Sequence, residues 1–547
     1  MIYLSTLLIS MFITIALIPM LRSMAINKMI VDVPNERKVH TSPIPKTGGI
    51  AMALGILVPI LLWTHMDDFV RSILMGSCIL TIFGLIDDIR ELGYKTKLLG
   101  QIAAGLIAVS YGGISITFFE DILPGNTIFG HYATIAITLF IITGVTNAIN
   151  LSDGLDGLAG GITMLSFICI AYLGFCSENN SITLISIAVI GAIFGFLRFN
   201  THPATVFMGD TGSQLLGYLS ISTALHLTQG DTPLSPLVPM LLLGFPILDT
   251  LTVMTERIAN GRSPFVADKN HFHHKLMRLG FFHTEAVFII YMLQAFLVTS
   301  AFIFRFYSDC FLLVYYTIFS GLIVAGFIIA DRAGWKLKRF DLIDRVVKSK
   351  LKRLREKNYH IKLSFLTVKV GLPILLIFTC FLPAAIPSYF SIIGIVMAIL
   401  LSSAALYQNK WLGGMIRLSL FMTIPLLVYL GEKNTVSWLN ENMEFTYNLS
   451  FGMIAVFVIL TLKFTRRKEG FKSTPTDFII LFVALVLPNL PDIQIRSYHL
   501  GMLTTRIIVF FFSLEVLIGE LRKKYTTLAF LTVIVLLILS FRGLTMI

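Results

Sequence analysis

The sequence predicts an all-α polytopic integral membrane protein of about eighteen helices, and three observations carry that prediction. Hydrophobic residues fill 56% of the 547 positions and charged residues 14%, at a mean hydropathy of +0.82, so lipid is the main solvent of the folded chain. Apolar runs recur at about 20 residues, the length a helix needs to cross a bilayer. Lysine and arginine gather in alternate connections between these runs, the asymmetry of basic loops retained on the cytoplasmic side.

Taken in order, eleven spans are expected at 2–22, 49–65, 69–87, 97–118, 131–149, 161–177, 181–198, 213–228, 235–255, 285–305 and 310–330. The first has no basic leader and no small-residue cleavage signal, so it reads as a retained helix. A basic, amphipathic segment, 331–362, then alternates Lys and Arg with apolar residues and is expected to lie on anionic lipid as a cytoplasmic linker. Seven further spans follow at 366–386, 388–407, 411–430, 449–464, 476–490, 502–519 and 526–544. The chain thus divides into a membrane domain at 1–330, the linker, and a C-terminal membrane module at 363–547.

With the N-terminus outside, the odd-to-even connections are cytoplasmic. They hold Arg22, Lys28, Lys38 and Lys46, then Arg90, Lys95 and Lys97, then Arg257, Arg262, Lys269, Lys275 and Arg278. Opposite loops hold Asp67-Asp68, Glu120-Asp121 and Glu178. The net charge of +12 is therefore explained by topology and anionic lipid, with no nucleic acid required. Cys78, Cys169, Cys176, Cys310 and Cys380 lack metal or disulfide spacing and read as packing residues.

The polar clusters all fall on that same side. Asn147 to Gly161 reads NAINLSDGLDGLAGG, with Asn150, Asp153 and Asp156 among glycines that allow close backbone approach to a pyrophosphate. Hard oxygen donors of this kind suit Mg²⁺, with Mn²⁺ as a substitute. Asp87-Asp88 close the third span, Phe207 to Ser213 reads FMGDTGS around Asp210, and Arg262 leads to His271-Phe-His273-His274. Carboxylates, amides, basic residues and histidines at one interface are what a reaction between a nucleotide sugar and a lipid needs. Each has a plainer reading: Asp87-Asp88 as a solvated helix end, Lys46 and Lys97 as positive-inside anchors, Gly48-Gly49 as a close-packing pair, and the histidines as zinc ligands with a compressed spacing.

These motifs resemble those of the polyprenyl-phosphate N-acetylhexosamine-1-phosphate transferases, the MraY/WecA-like glycosyltransferase family 4. The resemblance covers roughly residues 1–330. It implies transfer of a HexNAc-1-phosphate from a UDP-N-acetylhexosamine to polyprenyl phosphate, such as undecaprenyl phosphate, with release of UMP, at a cytoplasm-facing site in the inner membrane. By the same resemblance Asp87, Asp88, Asp210 and Lys97 are catalytic, and Asn150 and Asp210 hold Mg²⁺. Lys46, Asp153, Asp156, Phe207, Arg262, His271, His273 and His274 contact substrate, Phe207 by stacking on uracil. The Gly-Arg-Ser-Pro-Phe and histidine runs resemble the WecA/TagO branch, hence GlcNAc-1-phosphate as the expected cargo and an envelope glycan as the product. A MraY-like UDP-MurNAc-pentapeptide transferase is the alternative within the family. A transporter or non-catalytic scaffold is the alternative of another class. The resemblance also implies a homodimer. The C-terminal module carries no recognisable catalytic set, with Arg506 and Glu515 as its main intramembrane charges, and is expected to dock a later glycosyltransferase or flippase.

Overall fold

The computed structural model describes residues 2–27, 31–32, 43–116, 128–229, 232–263, 270–337, 359–406, 412–433, 436–464, 500–520 and 525–545. The described residues fall into two compact units, 2–337 and 359–545.

The first unit holds α1 (Ile2–Asn27), α2 (Gly48–Trp63), α3 (Asp68–Arg90), α4 (Tyr94–Ser110), α5 (Ile128–Leu151), α6 (Leu158–Cys176) and α7 (Asn180–Asn200). It continues with α8 (Gly209–Thr228), α9 (Val238–Leu242), α10 (Gly244–Ala259), α11 (Phe272–Arg278), α12 (His283–Ile303) and α13 (Asp309–Arg332). The all-α expectation holds. The one sheet among the described residues is an antiparallel pairing of β1 (Val31–Asp32) with β2 (Ile44–Pro45). Ten described helices are long and apolar enough to cross a membrane.

Helix ends follow local chemistry. Asp67 caps α3 by accepting from the Val70 N–H at 2.7 Å, and Asn179 caps α7 through the Ile182 N–H at 3.0 Å. α4 stops at Ser110, ahead of the expected end, where Gly112-Gly113 turn the chain.

The span expected at 235–255 is two helices, broken at Leu243. Pro246 in the first turn of α10 has no N–H to continue a ladder, so the break costs little there. Side chains satisfy the freed backbone. Gln294 donates to the Leu242 carbonyl at 2.7 Å and accepts from the Phe245 N–H at 3.2 Å, while the Tyr316 hydroxyl donates to the Gly244 carbonyl at 2.8 Å.

α8 is the central helix, its side chains from Thr211 to Leu225 all buried, and it packs on α2, α3, α5 and α6. Its N-terminus therefore meets the ends of α3 and α5, and this meeting creates the site.

The second unit comprises α14 (Tyr359–Phe381), α15 (Ser388–Leu406), α16 (Leu412–Lys433), α17 (Glu441–Phe464), α18 (Leu500–Glu520) and α19 (Thr526–Leu544). Leu372, Leu376, Leu420, Phe510 and Leu514 lie in its apolar core. Arg506 is buried and used internally, paired with Glu432 and donating to Asn448 Oδ1 at 2.8 Å. Arg542 donates to the carbonyls of Cys380 and Pro383 and so closes the end of α14. The expected span 476–490, the Glu515 side chain and most of the basic linker lie outside the described residues. All five cysteines are free: Cys169 and Cys380 are buried packing residues, whereas Cys78 and Cys310 are exposed.

Candidate active site

Four helix ends bring Asp87, Lys97, Asn150 and Asp210 together. Lys97 Nζ lies 2.7 Å from Asp87 Oδ2 and 3.3 Å from Asp210 Oδ1, so one ammonium bridges two carboxylates separated by 123 positions. Asn150 Nδ2 donates to the same Asp210 oxygen at 2.9 Å, and Asn150 Oδ1 accepts from the Ser213 hydroxyl at 2.7 Å. Asp87 is buried and also accepts from the Leu92 N–H at 2.6 Å, which holds the turn after α3.

Asp88 does different work from Asp87. Its Oδ1 accepts from the Asp210 N–H at 2.9 Å. Its Oδ2 accepts from the Thr211 N–H at 3.1 Å and the Thr211 hydroxyl at 2.7 Å. A carboxylate at a helix N-terminus satisfies orphan donors and favours the positive end of the helix dipole. Both oxygens are thereby committed to the start of α8. Gly209 at that start has φ +66°, and a Cβ on it would sit 2.5 Å from both Asp88 oxygens, so close approach and left-handed backbone both require glycine.

Lys46 stands within electrostatic reach of this helix start, 3.2 Å from Asp32. Burial works against its charge, but Asp32, Asp88 and Asp210 outweigh burial and hold its pKa above the ordinary lysine value. The Lys46 loop is fixed through backbone bonds from the Phe207 N–H to Pro45, the Gly48 N–H to Phe207 and the Gly49 N–H to Met208, at 2.9, 2.9 and 3.0 Å. A Cβ on Gly49 would collide with the backbone of Gly212 and Met208, so the glycine pair is used for close packing. Phe207 is half-buried beside this junction.

The loop between α5 and α6 faces the histidines. Asp153 is pushed up to about 8 by burial and by the negative charges of Asp210, Asp88 and Asp156. The folded chain thus keeps a proton that an ordinary aspartate, near 3.8, releases; stability falls as pH rises from about 4 to about 8 and is flat beyond. In EDTA, Asp153→Asn is therefore expected to raise the melting temperature relative to the parent more at pH 8.5 than at pH 5. Equal shifts at both values would contradict this environment for Asp153.

Asp156 forms a clasp. Its Oδ2 lies 2.7 Å from His202 Nδ1 and accepts from the Ala204 N–H at 3.1 Å, while its own N–H donates to His283 Nε2 at 3.1 Å. Burial disfavours its charge, but His202 and the Ala204 amide prevail and hold its pKa below the ordinary value. Among the described residues, these three side chains form the group of His and carboxylate ligand atoms within 4.8 Å of one another. The Asp156 amide already uses the His283 Nε2 lone pair that a metal would need, so we read the group as a hydrogen-bonded brace joining three segments.

His271 Nδ1 lies 2.9 Å from Asp249 Oδ2, and Asp249 Oδ1 accepts from the Phe272 N–H at 2.7 Å, so one buried carboxylate both orients the imidazole and caps α11. His273 is packed against Gly154, where a Cβ would collide with its ring. Burial, then His274 and His271, keep it well below the ordinary histidine range, so it is neutral at pH 7. Its ring centroid is 4.2 Å from that of half-buried His274. Arg262 is exposed just beyond α10, and residues 264–269 lie outside the described residues.

Sequence reading did not single out Asp32, Asn200, His202, Asp249 or His283. Asn200 accepts from the Gly157 N–H at 2.9 Å and donates to the Val206 carbonyl at 3.0 Å, tying two motif loops together. The signal for these residues was their type, a polar residue beside an apolar span, but nothing in spacing shows partners 14 to 127 positions away.

Asp87, Asn150 and Asp210 offer oxygen donors around one bridging lysine, and Asp153 lies within electrostatic reach of Asp210. Oxygen donors suit a hard divalent cation, and the negative charge that adds to burial in raising Asp153 is charge a cation would offset.

Fold and site together define a polytopic membrane protein with a carboxylate, amide and lysine centre fit for phosphate chemistry at the ends of its spans. The chain belongs to glycosyl transferase family 4, whose model matches residues 70–228. It is 34% identical over 347 residues to a probable undecaprenyl-phosphate N-acetylglucosaminyl 1-phosphate transferase of Bacillus subtilis, covering 63% of this chain and 96% of that one. It is 32% identical to the undecaprenyl-phosphate alpha-N-acetylglucosaminyl 1-phosphate transferase of Escherichia coli K12, over 64% of this chain and 96% of the relative. A decaprenyl-phosphate N-acetylglucosaminephosphotransferase of Mycobacterium tuberculosis H37Rv is 34% identical, over 47% and 72% respectively.

Proposed function

We propose that residues 1–330 transfer GlcNAc-1-phosphate from UDP-GlcNAc to undecaprenyl or a similar polyprenyl phosphate, releasing UMP on the cytoplasmic face. The observation that carries this reading is Lys97 held between Asp87 and Asp210, with Asn150 on the same Asp210 oxygen. A lipid phosphate oxygen attacks the sugar-bearing phosphorus; a new P–O–P bridge forms as the bond to the UMP oxygen breaks, and UMP leaves with that electron pair. A phosphate monoester has a second pKa of about 6, so the attacking oxygen is already largely ionised at pH 7 and needs little help from a base.

The difficulty is bringing one anion to another, and fixed cations reduce it. Lys97 is assigned to the phosphate oxygens, with Asp87 orienting its ammonium. Lys46, braced by Asp32, takes a second position beside the same helix start. Asp88 is a positioning residue that aims Asp210 by capping α8. Mg²⁺ held by Asp210 and Asn150, with Asp153 adjacent, would offset diphosphate charge. Phe207, Asp153 and Asp156 serve the nucleotide, while Arg262, His271, His273 and His274 serve the sugar and diphosphate. His273 contributes as a neutral hydrogen-bonding group.

The purified chain is expected to release UMP only when UDP-GlcNAc, undecaprenyl phosphate and Mg²⁺ are all present. EDTA or Asp210→Asn should lower the rate by about 10²-fold or more. Lipid-independent release, or none with any UDP-N-acetylhexosamine from folded protein, would overturn the proposal.

A further inference from the structure

Away from the carboxylate centre, the ends of α10, α11 and α13 enclose a cavity of about 220 Å³. Pockets for drug-sized ligands run to about 300–1,000 Å³, so this one has the size of a small polar head rather than of a nucleotide sugar. Its floor is apolar. The Phe272 and Phe327 ring centroids lie 4.8 Å apart, and Val324 continues the wall along α13. That helix turns an apolar face outward, with Leu322 69% and Ile329 67% exposed, so the wall adjoins the hydrocarbon. The cavity lies at the polar end of the helix, where the chain turns back and the Leu337 N–H donates to the Leu279 carbonyl at 2.9 Å.

Four charged residues line the same space, and two of them neutralise each other. Lys275 pairs with Glu256, its ammonium 5.3 Å from the Phe272 ring centre. Arg278 and Asp331, both exposed, have no ion-pair partner among the described residues. One cation and one anion thus remain in one cavity at the boundary between apolar and polar surroundings. A singly anionic head group would meet Asp331 unfavourably, whereas a head group carrying both signs matches the pair, and a primary ammonium has N–H groups to donate to the Asp331 carboxylate that a quaternary one lacks.

We propose that this cavity binds the head group of a zwitterionic phospholipid with a primary ammonium, the phosphatidylethanolamine type. Arg278 takes the phosphodiester, Asp331 takes the ammonium, and the acyl chains run along α13. Phe272 lies between His271 and His273, so the bound head group braces the histidine helix. That last consequence rests on the transferase reading; lipid retention does not.

The test reads binding without turnover. The full chain is placed in nanodiscs containing equal phosphatidylethanolamine, phosphatidylglycerol and phosphatidylcholine, released, and its retained lipid is measured by native mass spectrometry. The parent is expected to retain phosphatidylethanolamine at least tenfold over the other two. The Arg278→Ala/Asp331→Ala double variant should lose that preference, and so should Thr252→Trp, which fills the cavity from α10; unchanged melting temperatures identify folded variants. Equal retention of the three lipids, undiminished retention by both folded variants, or capture of free phosphoethanolamine in preference to the lipid would overturn the assignment.

Discussion

Lys97→Met is expected to lower UMP release by about 10²–10³-fold, the range seen when one preorganised charge donor to a developing oxyanion is removed. Two effects combine. The transferring phosphoryl group loses the ammonium assigned to its oxygens, and buried Asp87 loses its only ion-pair partner among the described residues while Asp210 remains beside it. Removing one partner of a buried ion pair leaves an uncompensated charge, so a fall in melting temperature should accompany the kinetic loss. Lys95→Met is the control. It is exposed, two residues earlier in the same basic connection, and should behave as the parent does. A Lys97→Met chain that keeps more than a tenth of the parent rate would remove Lys97 from the phosphate site.

Asp88→Ala is expected to cost about 2–4 kcal/mol of folding stability and to abolish measurable UMP release. The Asp210 and Thr211 N–H groups and the Thr211 hydroxyl would together lose their acceptor in a buried setting. The helix they begin is the one around which the first unit packs. Asp88→Asn keeps one acceptor oxygen and should recover part of the stability. This distinguishes positioning from direct chemistry: if Asp88 acted on the reacting atoms, Asn would restore the melting temperature and none of the activity. An Ala variant as stable and active as the parent would show that α8 needs no such cap.

The neighbouring aspartates show where sequence reading stopped. Asp87 and Asp88 are adjacent in one helical turn and look equivalent in one dimension. Burial then sends one carboxylate toward Lys97 and commits the other to the backbone of α8. The histidine run was visible as a cluster, but not that buried Asp249 orients its first member or that its middle member is neutral. The broken span at Leu243 was hidden too, because hydropathy counts apolar residues and does not register a carbonyl satisfied by Gln294.

From the sequence alone came the helical membrane class, the positions of most helices in the first unit though not the break at Leu243, and the motif runs that hold the reactive residue types. Those properties are local, since composition, run length and charge asymmetry act over about 20 residues. Only the tertiary structure decided which polar residues meet, which are spent on holding a helix end, and which remain for chemistry. Pairings such as Lys97 with Asp210 or Asp156 with His283 depend on how whole helices pack, and the interior has room for one such arrangement.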